Sequence, residues 1–323
     1  MADGTQANGS QKEPAEQVEQ LQPNHEGMHA DAENTSEEEL NKPLVDTVSQ
    51  DVAEEVSEFF EQAAEQNETN IEENDKPYIA FEHVYKSFGS FSVLEDVSFF
   101  VRPGETLCIL GRSGVGKSVS LQMLMGFLKP DKGTIRVAGE NICSFTEREM
   151  LAVRRKVTMV FQNGALFDSF SVGENVAFPL REKNELDEEQ IRQIVKGLLE
   201  MVGVAGMDDL LPSDLSTGMK RCVAIARALA SQPEAILYDE PTTMVDPLIA
   251  HLLGDLIERL KRQLHLTSIV VTHDMRFAKK LADRLLFLHE GKARFFGTLE
   301  ELEHSDDPVL QEFMALDELV LPQ

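Results

Sequence analysis

The strongest constraint in this 323-residue chain is local. The apolar run Glu105–Leu110 leads without a break into Gly111-Arg112-Ser113-Gly114-Val115-Gly116-Lys117-Ser118, and a helical period follows from Lys117 to about Leu128. Strand, glycine-rich turn and helix in that order fit G-x-x-x-x-G-K-[ST]. The glycines let the backbone curl so that successive N–H groups point inward, and the helix adds its positive N-terminal end; together they make a cradle for phosphate. In such a cradle Lys117 reaches the β- and γ-phosphates of a nucleotide and the Ser118 hydroxyl ligates Mg²⁺. The plain alternative is a glycine loop that only turns a corner.

A second element argues against that alternative. Ala235-Ile236-Leu237-Tyr238-Asp239-Glu240 is an apolar strand ending in two acids. Such a strand sets Asp239 at the carboxyl edge of a sheet, near the first βα turn, where ligands collect in α/β folds. Asp239 is placed to hold magnesium, directly or through its water shell, and Glu240 to polarise an attacking water as general base. A third element, Leu215-Ser216-Thr217-Gly218-Met219, opens a helix with small and basic residues. Ser216 as cap and Gly218 as an unhindered N–H donor offer another anion-binding terminus, although alone this is an ordinary helix start.

The texture around these motifs is α/β. Tyr78–Val84 and Val93–Val101 read as an antiparallel pair, while the runs near Val157–Phe161, Ala235–Tyr238 and Ser268–Val271 are nearly all apolar. Strands of that kind are buried on both faces, as in a parallel sheet covered by helices. Between Gln162 and Pro233 the sequence is mostly helical, with an amphipathic Leu186–Val202 and a second helix over Ser216–Ala230.

Charge divides the chain. The net charge is -27, and residues 1–77 hold 21 acids against 3 bases, with Phe59 and Phe60 as their sole aromatics. That composition predicts a disordered acidic tail. Within it Val45, Val48, Val52, Val56, Phe59 and Ala63 recur at spacings of three and four, which predicts a helix over 45–66. It reads either as a docking or self-inhibiting helix or as a solvated segment, and acidic tails usually only solvate. The acidic balance argues against nucleic acid as a partner. Three scattered cysteines fit a reducing compartment, and neither a membrane-spanning run nor a targeting segment is expected.

The ordered set 111–118, Gln162, Leu215–Met219, Asp239-Glu240, Asp246 and Thr272-His273 resembles the nucleotide-binding subunit of ABC transporters, from about Tyr78 to Thr298. Two stretches narrow the likeness. Phe161–Ser169 continuing into Val172–Leu180, together with Gly218-Met219-Lys220-Arg221 and Leu237–Thr243, is similar to the Mla/MCE-type phospholipid transport ATPases. The resemblance implies an α/β P-loop NTPase: a RecA-like core, an antiparallel β subdomain, a helical subdomain over about 163–233, an ATPase domain over 78–298 and a C-terminal helical extension over 299–323.

It also implies roles. ATP with Mg²⁺ would lie between the 111–118 loop of one copy and Ser216 and Gly218 of a second, in a head-to-tail homodimer. Phe88 matches the aromatic that stacks on adenine, Gln162 the residue that contacts Mg²⁺ and the attacking water, and His273 the γ-phosphate contact. The implied partners are a multispan permease, an MCE-type lipid-binding protein and sometimes a small STAS-type protein, at the cytoplasmic face of the inner membrane. The alternatives are the ATPase of an amino-acid or metal importer and a non-transport ABC ATPase. Two departures stand out: Thr217 replaces a glycine of the family signature, and Met244-Val245 stands where Gly-Leu is common. Activity is expected to survive both.

Overall fold

The computed structural model describes residues 44–73 and 76–318. The part of the expected disordered tail before residue 44 lies outside them, as do residues 319–323. After helix α1 (Ala53–Glu73) come β1 (Ile79–Phe88), β2 (Phe91–Val101), β3 (Thr106–Leu110), α2 (Lys117–Leu124), β4 (Lys132–Val137), the short β5 (Glu140–Asn141), α3 (Glu147–Lys156) and β6 (Val157–Val160). A helical stretch follows, with α4 (Val172–Lys183), α5 (Glu188–Met201) and α6 (Thr217–Ala230). Alternation then resumes in β7 (Ala235–Asp239), α7 (Pro247–Leu264), β8 (Thr267–Thr272), α8 (Met275–Leu281), β9 (Arg284–His289) and β10 (Lys292–Gly297). The last described elements are α9 (Leu299–Glu303) and α10 (Pro308–Glu318).

Two sheets result. β1, β2, β4 and β5 form an antiparallel sheet in the order β2-β1-β4-β5. The larger sheet runs β10-β9-β3-β8-β7-β6, parallel except for β10 at its edge. The all-apolar strands are explained by alternation between two cores. Leu107 and Ile109 of β3 enter the core shared with the antiparallel sheet, whereas Cys108 and Leu110 enter the core beneath the helices. Ala235 and Leu237 divide from Ile236 and Tyr238 in the same way.

Strand order then fixes where loops can meet. β3 pairs with β8 so that Leu110 lies opposite Thr272, and β7 pairs with β8 so that Asp239 lies opposite Val271. The segments after β3, β7 and β8 therefore open on one edge of the sheet. α2 stops at Leu124, short of the expected Leu128, because Gly126 turns the chain at φ 71 against Met150.

The helical layer is fastened by its caps and its core. Ser171 with Glu174 and Asp187 with Gln190 form capping boxes at the starts of α4 and α5. Val176, Leu180, Ile194, Leu198 and Val223 bury their side chains between α4, α5 and α6.

The apolar stripe of the acidic segment is not left in water. Its helix spans 53–73 rather than 45–66, and Val48, Val52, Val56, Phe59 and Phe60 are buried in the core formed with α5 and α6. Polar anchors fix it at both ends. Ser49 N and Oγ donate to the Glu200 carboxylate of α5 at 2.6 and 2.9 Å. Buried Asn67 donates from Nδ2 to Leu264 O at the end of α7 over 2.8 Å. Between them Gln232 Nε2 donates to Phe59 O at 2.8 Å. Glu54, Glu58, Glu61, Glu65 and Glu68 are exposed, so one segment is both solvated and docked.

Candidate active site

The loop between β3 and α2 needs its glycines for two separable reasons. Gly116 has φ 105, and a Cβ there would sit 2.5 Å from Leu94 Cδ2. Gly111 has φ 150, and its Cβ would meet Leu288 O at 2.5 Å. Both backbone shape and close approach therefore exclude other residues. The loop delivers Lys117 to an almost buried position, where Nζ donates to Gly111 O at 2.7 Å and to Arg112 O at 3.2 Å. The same ammonium lies 3.2 Å from Glu240 Oε1.

One residue on, Ser118 Oγ donates to Asp239 Oδ1 over 2.8 Å. Burial raises the Asp239 carboxyl above its ordinary value, with the Ser118 hydrogen bond opposing. A carboxylate kept from water beside a hydroxyl is a donor set suited to a hard divalent cation. Among the described residues no cluster of three or more His, Cys, Asp or Glu could hold a metal alone. A cation here would rest on Ser118, Asp239 and oxygens of a bound ligand.

Glu240 follows β7 in the left-handed region at φ 48. Its N–H donates to Val271 O at 2.9 Å, which turns the side chain off the strand. The carboxylate then lies 2.7 Å from His273 Nδ1 and accepts from Thr243 Oγ1 at 3.2 Å, both contacts at Oε2. Arg112, Lys117, Ser118, Gln162, Glu240 and His273 line a common open cavity of about 570 Å³, with Ser113, Gly114 and Gly116 on the loop side.

Other expected residues lie elsewhere. Gly111 and Val115 sit behind the lining, Val115 packed on the core between the sheets. Phe88 is half exposed outside the lining, with Lys86 Nζ 5.5 Å from its ring centre. Ser216 and Gly218 also lie outside it, at the N-terminus of α6, where Ser216 Oγ accepts from Met219 N. Asp246 caps α7, accepting from Leu248 N at 2.9 Å.

Three residues near the site carried no local signal strong enough to single them out. Thr243 touches Glu240, and Phe313 of α10 lines the cavity while packing on Phe287 at 4.8 Å between ring centres. Arg221 holds the Glu240 loop from behind, donating to Glu240 O at 2.7 Å and Thr243 O at 2.9 Å. An arginine in a helix otherwise rich in small apolar residues was the available hint for the last of these.

A parallel sheet with a phosphate-type loop after its central strand, and an acid pair two strands away on the same edge, defines the P-loop class of ATPases. The profile of the ABC transporter family matches residues 94–243. The chloroplastic protein TRIGALACTOSYLDIACYLGLYCEROL 3 of Arabidopsis thaliana is 39% identical over 266 residues, covering 76% of each chain. The intermembrane phospholipid transport system ATP-binding protein MlaF of Haemophilus influenzae is 41% identical over 70% of this chain and 86% of its own. A dimeric ATP-binding cassette solved in a post-hydrolysis state with ADP and Pi matches at TM-score 0.64 and 30% identity, over 68% of this chain and 98% of that one. The chain belongs to the ABC transporter family, as an ATP-binding and hydrolysing subunit. Among the described residues no helix is long and apolar enough to cross a membrane.

Proposed function

We propose that this chain energises phospholipid transport from the cytoplasmic face of the inner membrane, as a head-to-tail homodimer bound to a multispan permease and working with an MCE-type lipid-binding protein. A small STAS-type protein is a further partner in this reading. The support for the substrate is the likeness to MlaF; the support for the dimer is that Ser216 is exposed at the start of α6, outside its own chain's cavity, although Gly218 beside it is buried against Ile249.

The observation that carries the chemistry is the set of contacts on Glu240. Lys117 and Glu240 pair at 3.2 Å. A γ-phosphate entering the loop competes for the ammonium through stronger charge-assisted hydrogen bonds and releases the carboxylate. Glu240, still oriented by His273 and Thr243, can then accept a proton from water attacking that phosphate. Gly111 to Ser118 form the cradle, His273 senses the γ-phosphate, Phe88 takes the adenine, and Gln162, on the cavity wall, would contact the metal and the attacking water. Ser118, Asp239 and Gln162 would hold a magnesium ion, which would supply charge neutralisation on the phosphates.

Differential affinity turns this into motion. ATP adds contacts from both copies and closes the dimer, and hydrolysis removes them. The permease-facing surface in this reading is the cluster Phe167, Phe170 and Phe178, whose ring centres lie 5.1–6.2 Å apart beside the Gln162 loop. Phe167 and Phe178 are exposed there, as a docking patch requires.

The test is a pull-down from detergent-solubilised membranes followed by ATPase assays of the captured complex in phospholipid nanodiscs. Co-purification of a multispan permease and stimulation by phospholipid support the reading. Stimulation by amino acids or metal ions instead, or capture of no permease, overturns it.

A further inference from the structure

We propose that Arg221 is a positioning residue for hydrolysis: its guanidinium ties the helix beginning at Ser216 and Gly218 to the loop carrying Glu240, so that the two move as one piece. The inference rests on the reading of Glu240 as general base.

The geometry is a single fork on two carbonyls. Arg221 is 2% exposed, and it donates to Glu240 O at 2.7 Å and to Thr243 O at 2.9 Å. The loop it grips holds two non-glycine residues in the left-handed region, Glu240 at φ 48 and Met244 at φ 60. Such a backbone persists only when its surroundings over-determine it. Val271 O fixes the N–H side of Glu240 and Arg221 fixes its carbonyl side, which leaves the carboxylate aimed at Lys117, His273 and Thr243.

Packing alone does not account for this side chain. Its Nε is buried without a partner, and a desolvated guanidinium is costly where an apolar residue of similar volume would fill the space. What an apolar residue lacks is the pair of rigid donors.

The same helix repeats the device on the other wall of the cavity. Arg227 donates to Ala165 O at 2.9 Å and Gly164 O at 3.0 Å, in the loop that follows Gln162. That loop also takes left-handed conformations, at φ 74 and φ 48. Helix α6 thus grips both loops that bring Glu240 and Gln162 to the cavity. Its N-terminus lies outside that cavity, with Ser216 exposed and Gly218 packed under Ile249. A nucleotide held by a second copy that engages this end is therefore felt at Glu240 through Arg221.

The test uses the full-length protein and the variants Arg221→Met, Arg221→Gln and Arg221→Lys. kcat, KM and the Hill coefficient for ATP come from phosphate release, and affinity from titration with a fluorescent ATP analogue. Loss of the fork lets the general base drift, and a displacement of that kind lowers kcat about tenfold or more in R221M and R221Q. R221K, which can hold one carbonyl, falls between them and wild type. Affinity stays within about twofold, as for a residue acting only on the chemical step. The Hill coefficient falls toward that of independent sites. An unchanged kcat in any folded variant overturns the proposal. So does a fall in kcat matched by equal losses of affinity and melting temperature, the signature of a purely structural arginine. If R221M does not fold, R221K alone decides, since it too must lose rate at constant affinity. Wild-type turnover abolished by E240Q is the control: without it the reading of Glu240 fails rather than that of Arg221.

Discussion

His273 Nδ1 lies 2.7 Å from Glu240 Oε2, across the gap between two neighbouring strands of the parallel sheet. Lys117 holds the other carboxylate oxygen at 3.2 Å, so both oxygens of Glu240 are engaged. Replacement by Glu240→Gln keeps the shape and removes the base. Phosphate release is expected to fall by roughly 10²–10⁴-fold, the span of general-base contributions, with ATP binding retained. His273→Ala, which removes one of the contacts on the carboxylate, should give a smaller loss of kcat. Equal rates in wild type and E240Q would contradict the assignment.

Asp239 gives a prediction with opposite signs for stability and activity. Burial raises its folded-state pKa, so the native state favours the protonated carboxyl. At this site native stability is gained as pH falls through the raised value, until the unfolded carboxyl is also protonated near its ordinary 3.8. Above the raised value the cost of the buried charge is complete. Asp239→Asn should therefore raise the melting temperature of the nucleotide-free protein at pH 7, with the gain shrinking on acidification, while magnesium-dependent hydrolysis collapses. A variant that melts lower at pH 7, or whose advantage grows in acid, contradicts the argument.

Gly197 tests the docking of α1 without touching the site. It faces Val56, and a side chain there would collide with it. Gly197→Leu is expected to cost about 1–3 kcal/mol, as overpacking does, and to lift α1 from α5. Hydrogen exchange over residues 53–73 should rise sharply while ATP affinity holds. Unchanged protection in G197L would show that the helix is not seated on this face.

Met244 separates strain from association. It is 89% exposed at φ 60, in the left-handed region that favours glycine. Met244→Gly relieves a left-handed side chain worth about 1 kcal/mol but adds a comparable entropy to the unfolded chain. The melting temperature should barely move. If Met244 enters the seam between copies, ATP-driven dimerisation of an E240Q background should weaken about tenfold by analytical ultracentrifugation, the effect of losing roughly 1.4 kcal/mol of apolar burial.

What the sequence disclosed and what it withheld divide along physical lines. The strand before Gly111, the acids after β7 and His273 after β8 are local patterns, each readable within a few residues and each placed on one edge by sheet pairing. The stripe of α1 was readable and docking was one of its two readings, but composition over residues 1–77, which averages outward acids with an inward stripe, favoured the solvated one. Its receiving surface, with Gly197 and Glu200, lies more than a hundred positions downstream. Asn67 shows the difficulty: a buried asparagine makes sense only once the Leu264 carbonyl is known to face it. Arg221 and Phe313 were obscure for the same reason, since their partners are set by tertiary contact alone.

The seat of α1 also means that the smallest cooperative folding unit is larger than the stretch the family profile recognises, residues 94–243. Excising the chain at Tyr78 would remove Val56 from the face of Gly197 and the anchors on Glu200 and Leu264, and present an oily trench to solvent. Such a fragment should be sticky and prone to self-association, and kinetic constants measured on it would describe a wounded particle rather than the working one.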